Sequence, residues 1–105
     1  MQEIERSIFR ILDANLNRSR EGLRVGEEVS RFFMRSPALT GRLKTVRHSI
    51  NDTMESLPRL KFIESRDPDG DIGKRCTAQE MRRDTVADIF GANIERVKES
   101  LRVLE

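Results

Sequence analysis

Three groups of residues in this 105-residue chain are of types that could handle a charged small molecule. The first is the segment "RDPDGDIGKR", residues 66–75, with Asp67, Asp69 and Asp71 at alternate positions between Arg66 and the pair Lys74–Arg75. Carboxylates of this kind can hold Mg²⁺ while the flanking bases take phosphate oxygens. Two more specific motifs fail here. An EF-hand needs glycine and glutamate where Ile72 and Ala78 stand, and a Walker loop needs glycine at Pro68 and Ser or Thr at Arg75. A solvated surface turn is the bland reading.

The second and third groups are copies of one another. Ala14–Glu27 and Ala92–Glu105 align with eight identities, among them Asn15/Asn93, Arg18/Arg96, Glu21/Glu99 and Arg24/Arg102, where chance would give about one. On a helical wheel Asn15 and Asn93 fall centrally in the apolar arc. Arg18 lies inside it and Arg96 at its edge, with the small residues Gly22 and Ser100 beside the asparagines. An unpaired buried amide costs roughly 1–3 kcal/mol, so these groups need partners. The partners are either internal, such as Asn15 with Asn93 across a pseudo-dyad, or a polar ligand held between the helices. Spacing alone weighs the two equally.

Long amphipathic helices would position these groups. Hydrophobic and charged residues each make up 36% of the chain, a balance suited to such helices. Ile4, Ile8, Ile11, Val25, Val29 and Phe32 mark a first helix over residues 2–35. Ser36 as N-cap and Pro37 at the first helical position start a second, running to about Ser56. A long ordered loop follows, with a short helical turn near Leu60–Glu64. The capping box Thr77–Glu80 then starts a third helix carrying Val86, Phe90, Ile94, Val97, Leu101 and Leu104. The expected fold is all-α: a single domain over residues 1–105, a bundle of three long helices with pseudo-symmetric first and last members.

Composition narrows the function further. A net charge of +2 argues against a nucleic-acid binder. No apolar run is long enough to span a bilayer, and the N-terminus is unlike a secretory signal. The lone Cys76 permits no internal disulfide, so the expected setting is the cytoplasm. His48 is the only histidine, which excludes a histidine-rich metal site. So small a core favours self-association, and a homo-oligomer, with a dimer as the first choice, is expected.

The stretches "ILDANLNRSREGLRV", "LKTVRHSI", "RDPDGDIG" and "ANIERVKESLRVLE", in that order, resemble the hydroxymethylpyrimidine-phosphate kinase family. This small helical module is found alone or fused ahead of thiamine-phosphate synthase. Gly26 departs from the bulkier residue usual there. The resemblance implies transfer of the ATP γ-phosphoryl group, with Mg²⁺, to 4-amino-5-hydroxymethyl-2-methylpyrimidine phosphate. It also allows that the chain is excised from, or related to, the N-terminal module of a longer thiamine-biosynthesis protein. The alternative is a non-catalytic module for dimerisation or for handing substrate to the synthase. By residue type and motif position, Arg66, Asp67 and Asp71 are the catalytic candidates, with Asp67 and Asp71 also holding Mg²⁺. Asn15, Arg18, Arg47, His48, Asn93 and Arg96 are the candidates for binding substrate.

Overall fold

The computed structural model describes residues 2–67, 70 and 85–105. It is all-α: α1 spans Glu3–Glu28, α2 Pro37–Glu55, α3 Arg59–Ser65 and α4 Val86–Leu104, and the described residues contain no strand. The Thr77–Glu80 box, Cys76, Lys74, Arg75 and Asp71 lie outside the described residues. The last helix begins later than that box implies. Thr85 is extended (φ −124°, ψ 161°), and its hydroxyl accepts from the Asp88 N–H at 3.0 Å, which caps α4.

The first helix is not uniform to residue 35. Val29–Met34 is wound as a π-helix and stops at Arg35, a non-glycine residue in the left-handed region (φ 54°, ψ 44°). Buried Ser30 fastens this corner: its hydroxyl bonds the Thr40 hydroxyl at 2.8 Å, and its carbonyl accepts from the Ser36 N–H at 3.0 Å. Ser36 then caps α2 through the Leu39 N–H at 3.2 Å, with Pro37 in the first turn, as the sequence predicts. The π winding turns Phe32, Phe33 and Met34 out to solvent.

α1 packs antiparallel to both α4 and α2. Gly22 lies against Asn93 and Val97, while Gly26, four residues on, lies against Phe90, Ile94 and Leu43. A Cβ on Gly22 would stand 2.6 Å from Val97 Cγ2 and 2.9 Å from the Asn93 carbonyl oxygen. The missing side chain therefore sets the spacing of the two helices. The departure at Gly26 has the same cause, since a Cβ there would already be 3.3 Å from Ile94 Cδ1.

The core is Leu16, Leu23, Ile50, Phe62 and Val97, with Phe9, Leu12 and Leu43 packed against it. Phe9 meets Phe62 edge-to-face at 5.2 Å and so seats α3 on α1. This corrects the apolar stripe read from the sequence, because Ile4, Ile8, Ile11 and Phe32 are all exposed. The antiparallel register brings the end of α4 opposite the middle of α1, so the first turns of α1 extend past it. Among the described residues no helix is long and apolar enough to cross a membrane.

Candidate functional site

The repeated asparagines are buried in the α1–α4 seam, and each bonds its own helix. Asn15 Nδ2 donates to the Ile11 carbonyl and Asn93 Nδ2 to the Ile89 carbonyl, both at 2.8 Å. The internal alternative therefore holds in another form than an Asn15–Asn93 pair: each amide folds back one turn. Ser19 and Ser100 do likewise, donating to the Asn15 and Arg96 carbonyls at 2.9 and 2.6 Å. Arg18 is exposed, not turned into the arc, and Arg96 is half-buried. What approaches Gly22 closely is α4. Neither Asn15, Arg18, Asn93 nor Arg96 lines either cavity described below, and His48 is exposed.

A cavity of about 630 Å³ opens instead between α1, α2 and α3. Its size is that of a small-molecule site. Asp13, Asn17 and Arg20 line it from α1 at four- and three-residue steps, and so share one helix face. Asn51, Met54 and Glu55 face them from α2, and Arg59, Phe62 and Arg66 close the side made by α3.

The polar groups form a chain along one wall. Arg66 grips Asp13 with both arms of its guanidinium, Nε to Oδ2 at 2.9 Å and Nη2 to Oδ1 at 3.0 Å. Asn17 Nδ2 donates to Asp13 Oδ1 at 3.1 Å, and Arg20 Nη2 donates to Asn17 Oδ1 at 3.4 Å. The Asp13 hydrogen bonds raise the Arg66 pKa, so this cation is permanent at physiological pH. Lys61 with Glu5 at 3.1 Å, and Arg6 donating to the Glu64 carbonyl at 3.2 Å, hold α3 in place beside it.

Asn51 differs from every other polar group here. Its Oδ1 is buried and has no hydrogen-bond partner among the described residues. An unmet buried acceptor costs roughly 1–3 kcal/mol, and the Asn51 side chain that carries it lines the cavity. Phe62, Met54 and Leu57 supply apolar wall around it. The cavity thus presents three guanidiniums, an uncommitted amide and a hydrophobic lining, groups suited to a small aromatic ring bearing an anion.

A second cavity, of about 540 Å³, follows further along α1 and α2. Arg24, Arg31, Lys44 and Arg47 line it together with Glu27, Glu28, Thr40 and Phe32. Arg47 donates through Nε and Nη2 to the two carboxylate oxygens of Glu27, and this bonding raises its pKa.

Of the sequence candidates, Arg66 lies in the first cavity and Arg47 in the second. Asp67 stands next to Arg66, exposed, with its Oδ1 accepting from the Gly70 N–H at 3.1 Å. Among the described residues no three His, Cys, Asp or Glu side chains converge as a metal cage. Asp67 lines neither cavity. Asn17, Arg20, Asn51 and Arg59 went unread in the sequence. The signal was there for Asn17 and Arg20, a polar i, i+4, i+7 series beginning at Asp13. Nothing local marks Asn51 or Arg59.

The ThiD2 family model matches residues 10–105. Among curated relatives, proteins named thiamine-phosphate synthase are 44% identical over 95% of this chain in Rhodopirellula baltica. They are 39% identical over 99% of it in Nostoc punctiforme and 43% over 94% in Synechocystis. The chain spans 27–29% of the length of these relatives. No solved structure matches it.

Proposed function

The chain belongs to the ThiD2 family, and from that premise we propose that it is a thiamine-biosynthesis module that phosphorylates 4-amino-5-hydroxymethyl-2-methylpyrimidine phosphate at the expense of ATP. The name carried by its relatives supports the pathway, and the resemblance drawn from its motifs supports the reaction. The observation that carries the reading is the cavity around Asn51. A turn of the Asn51 side chain toward the cavity would bring its unmet oxygen to the exocyclic amine of an aminopyrimidine, with the ring then near Phe62. Arg20, Arg59 and Arg66 can take the phosphate.

The chemistry asks little of the protein by way of bases. The attacking atom is a phosphate oxygen, already ionised at neutral pH. Catalysis then rests on positioning and on neutralising charge in the transition state. Fixed guanidiniums do both, and the Asp13–Asn17 chain holds Arg66 and Arg20 in place.

The test is ADP formation by the purified protein at high concentration, dependent on both Mg²⁺ and the pyrimidine phosphate. Absence of acceptor-dependent ADP would reject the kinase reading for this chain. The rival reading, a non-catalytic module handing the pyrimidine to a synthase, is favoured by the greater length of the relatives. It predicts that the pyrimidine phosphate binds and that ADP never forms.

A further inference from the structure

The two cavities follow one another along the α1–α2 seam as a furrow, with the Arg47–Glu27 pair spanning it. On α1 the first is lined by Asp13, Asn17 and Arg20, and the second by Arg24, Glu28 and Arg31. On α2 the antiparallel order is Glu55 and Asn51, then Arg47, Lys44 and Thr40. Steps of three and four residues relate these side chains, and Leu16, Met54, Glu27 and Phe32 also line the cavities, so each set lies on one helix face toward the seam. The boundary falls between Arg20 and Arg24, one helical turn apart, about 6 Å along the axis.

We propose that this furrow seats both substrates at once: the pyrimidine phosphate at the Asn51 end, a nucleoside triphosphate at the Phe32 end, with Arg20 and Arg24 flanking the phosphoryl group that passes between them. The proposal rests on the kinase reading and adds to it which cavity holds which ligand.

The two ends differ as two such ligands require. The first cavity combines the unmet Asn51 oxygen with an apolar wall, a setting for a small ring with one anion. The second sets four cations against two carboxylates, one of them already committed to Arg47, a setting for a longer anion. Arg24, Arg31 and Lys44 form no ion pair among the described residues. Its far end carries an aromatic platform. Phe32 is 66% exposed, and the Arg31 guanidinium lies 4.8 Å from its ring centroid. The π winding holds that ring outward, and such winding recurs at functional sites. Arg24 and Phe32 are about 12 Å apart along the helix, a span that a triphosphate and its sugar can bridge.

In the reaction so arranged, an oxygen of the acceptor's phosphate forms the new bond to the γ-phosphorus. The bond from that phosphorus to the β,γ-bridging oxygen breaks, and its electron pair leaves with ADP. No proton transfer is required. Charge spreads over the equatorial oxygens of the moving group, where two flanking guanidiniums stabilise it.

Calorimetric titration with ADP and with the pyrimidine phosphate separates the two ends. Phe32→Ala with Lys44→Ala is expected to weaken ADP about tenfold or more and to leave the pyrimidine phosphate within about twofold. Asn51→Leu with Arg59→Ala is expected to do the reverse. Arg20→Gln with Arg24→Gln is expected to lower kcat by about 100-fold or more, well beyond the weakening of either ligand. Melting curves confirm that each variant is folded, and Phe32 and Lys44 are exposed enough to be replaced without loss of packing. If either pair weakens both ligands alike, or the wrong one, the assignment of ends is overturned while the kinase reading stands. If the unmodified protein binds neither ligand, both fall together.

Discussion

α1 has two polar faces, and they differ in what stands in front of them. On the face toward α4, Asn15 and Ser19 are buried and bonded to their own helix, and Gly22 is filled by α4 itself. On the face toward α2 and α3, Asn17 folds back in the same way, donating to the Asp13 carbonyl at 3.0 Å, but it also joins Asp13 Oδ1 and Arg20 along a cavity wall that includes Asn51, whose Oδ1 has no partner among the described residues. Both faces carry an asparagine that bonds the carbonyl four residues back, and the second adds a carboxylate and a guanidinium. The difference is whether a neighbouring helix fills the space in front of the polar group. Where it does, the polar group is sealed into the seam. Where it does not, the group stays available to a ligand.

The comparison breaks most readily at Gly22. Gly22→Val should destabilise the protein by about 3 kcal/mol and Gly22→Ala by about 1 kcal/mol, because the Asn93 backbone and Val97 have no room to yield. A denaturation midpoint that did not move would mean that the seam is loose. On the other face, Arg66→Ala should weaken the pyrimidine phosphate about tenfold or more. Its stability cost should stay under about 1 kcal/mol, since the Arg66 side chain is 52% exposed and its ion pair is screened. A large drop in melting temperature with unchanged affinity would recast the pair as structural.

Asn51→Leu sharpens the contrast. Relieving an unmet buried acceptor should leave stability unchanged or raise it by about 1 kcal/mol, while affinity for the acceptor falls. Weakened folding would show that Asn51 already has a partner. The smallest effect is expected at the seam asparagines. Asn15→Leu with Asn93→Leu exchanges two local hydrogen bonds for apolar surface, so stability should shift by no more than about 1 kcal/mol. Ligand affinity should not change. Loss of binding in a protein that melts normally would return the site to the α1–α4 seam.

Much of the fold was legible in the chain because its signals are local. Ser36–Pro37 starts α2 where a cap and a pre-set φ are needed, and the two copies around Asn15 and Asn93 adopt the same helical turn with the same 2.8 Å bond. The short helix after Pro58 was also readable, as α3. Of the side chains that line the two cavities, only Arg66 and Arg47 were marked by the sequence as candidates. Asn15 and Asn93 drew attention because a wheel shows which arc a residue occupies, without showing what stands in front of it.

Taken alone, the sequence determined the helical class, the break between α1 and α2 and the repeat, since period, caps and identity are written in neighbouring residues. Tertiary structure alone decided three things: that Gly22 admits α4, that the π segment turns Phe32 outward, and that Asn51 from α2 meets Arg20 from α1 and Arg59 from α3 around one cavity. Those depend on how far the helices stand apart and which way each faces. Both follow from packing between elements distant in the chain, where no local signal reaches.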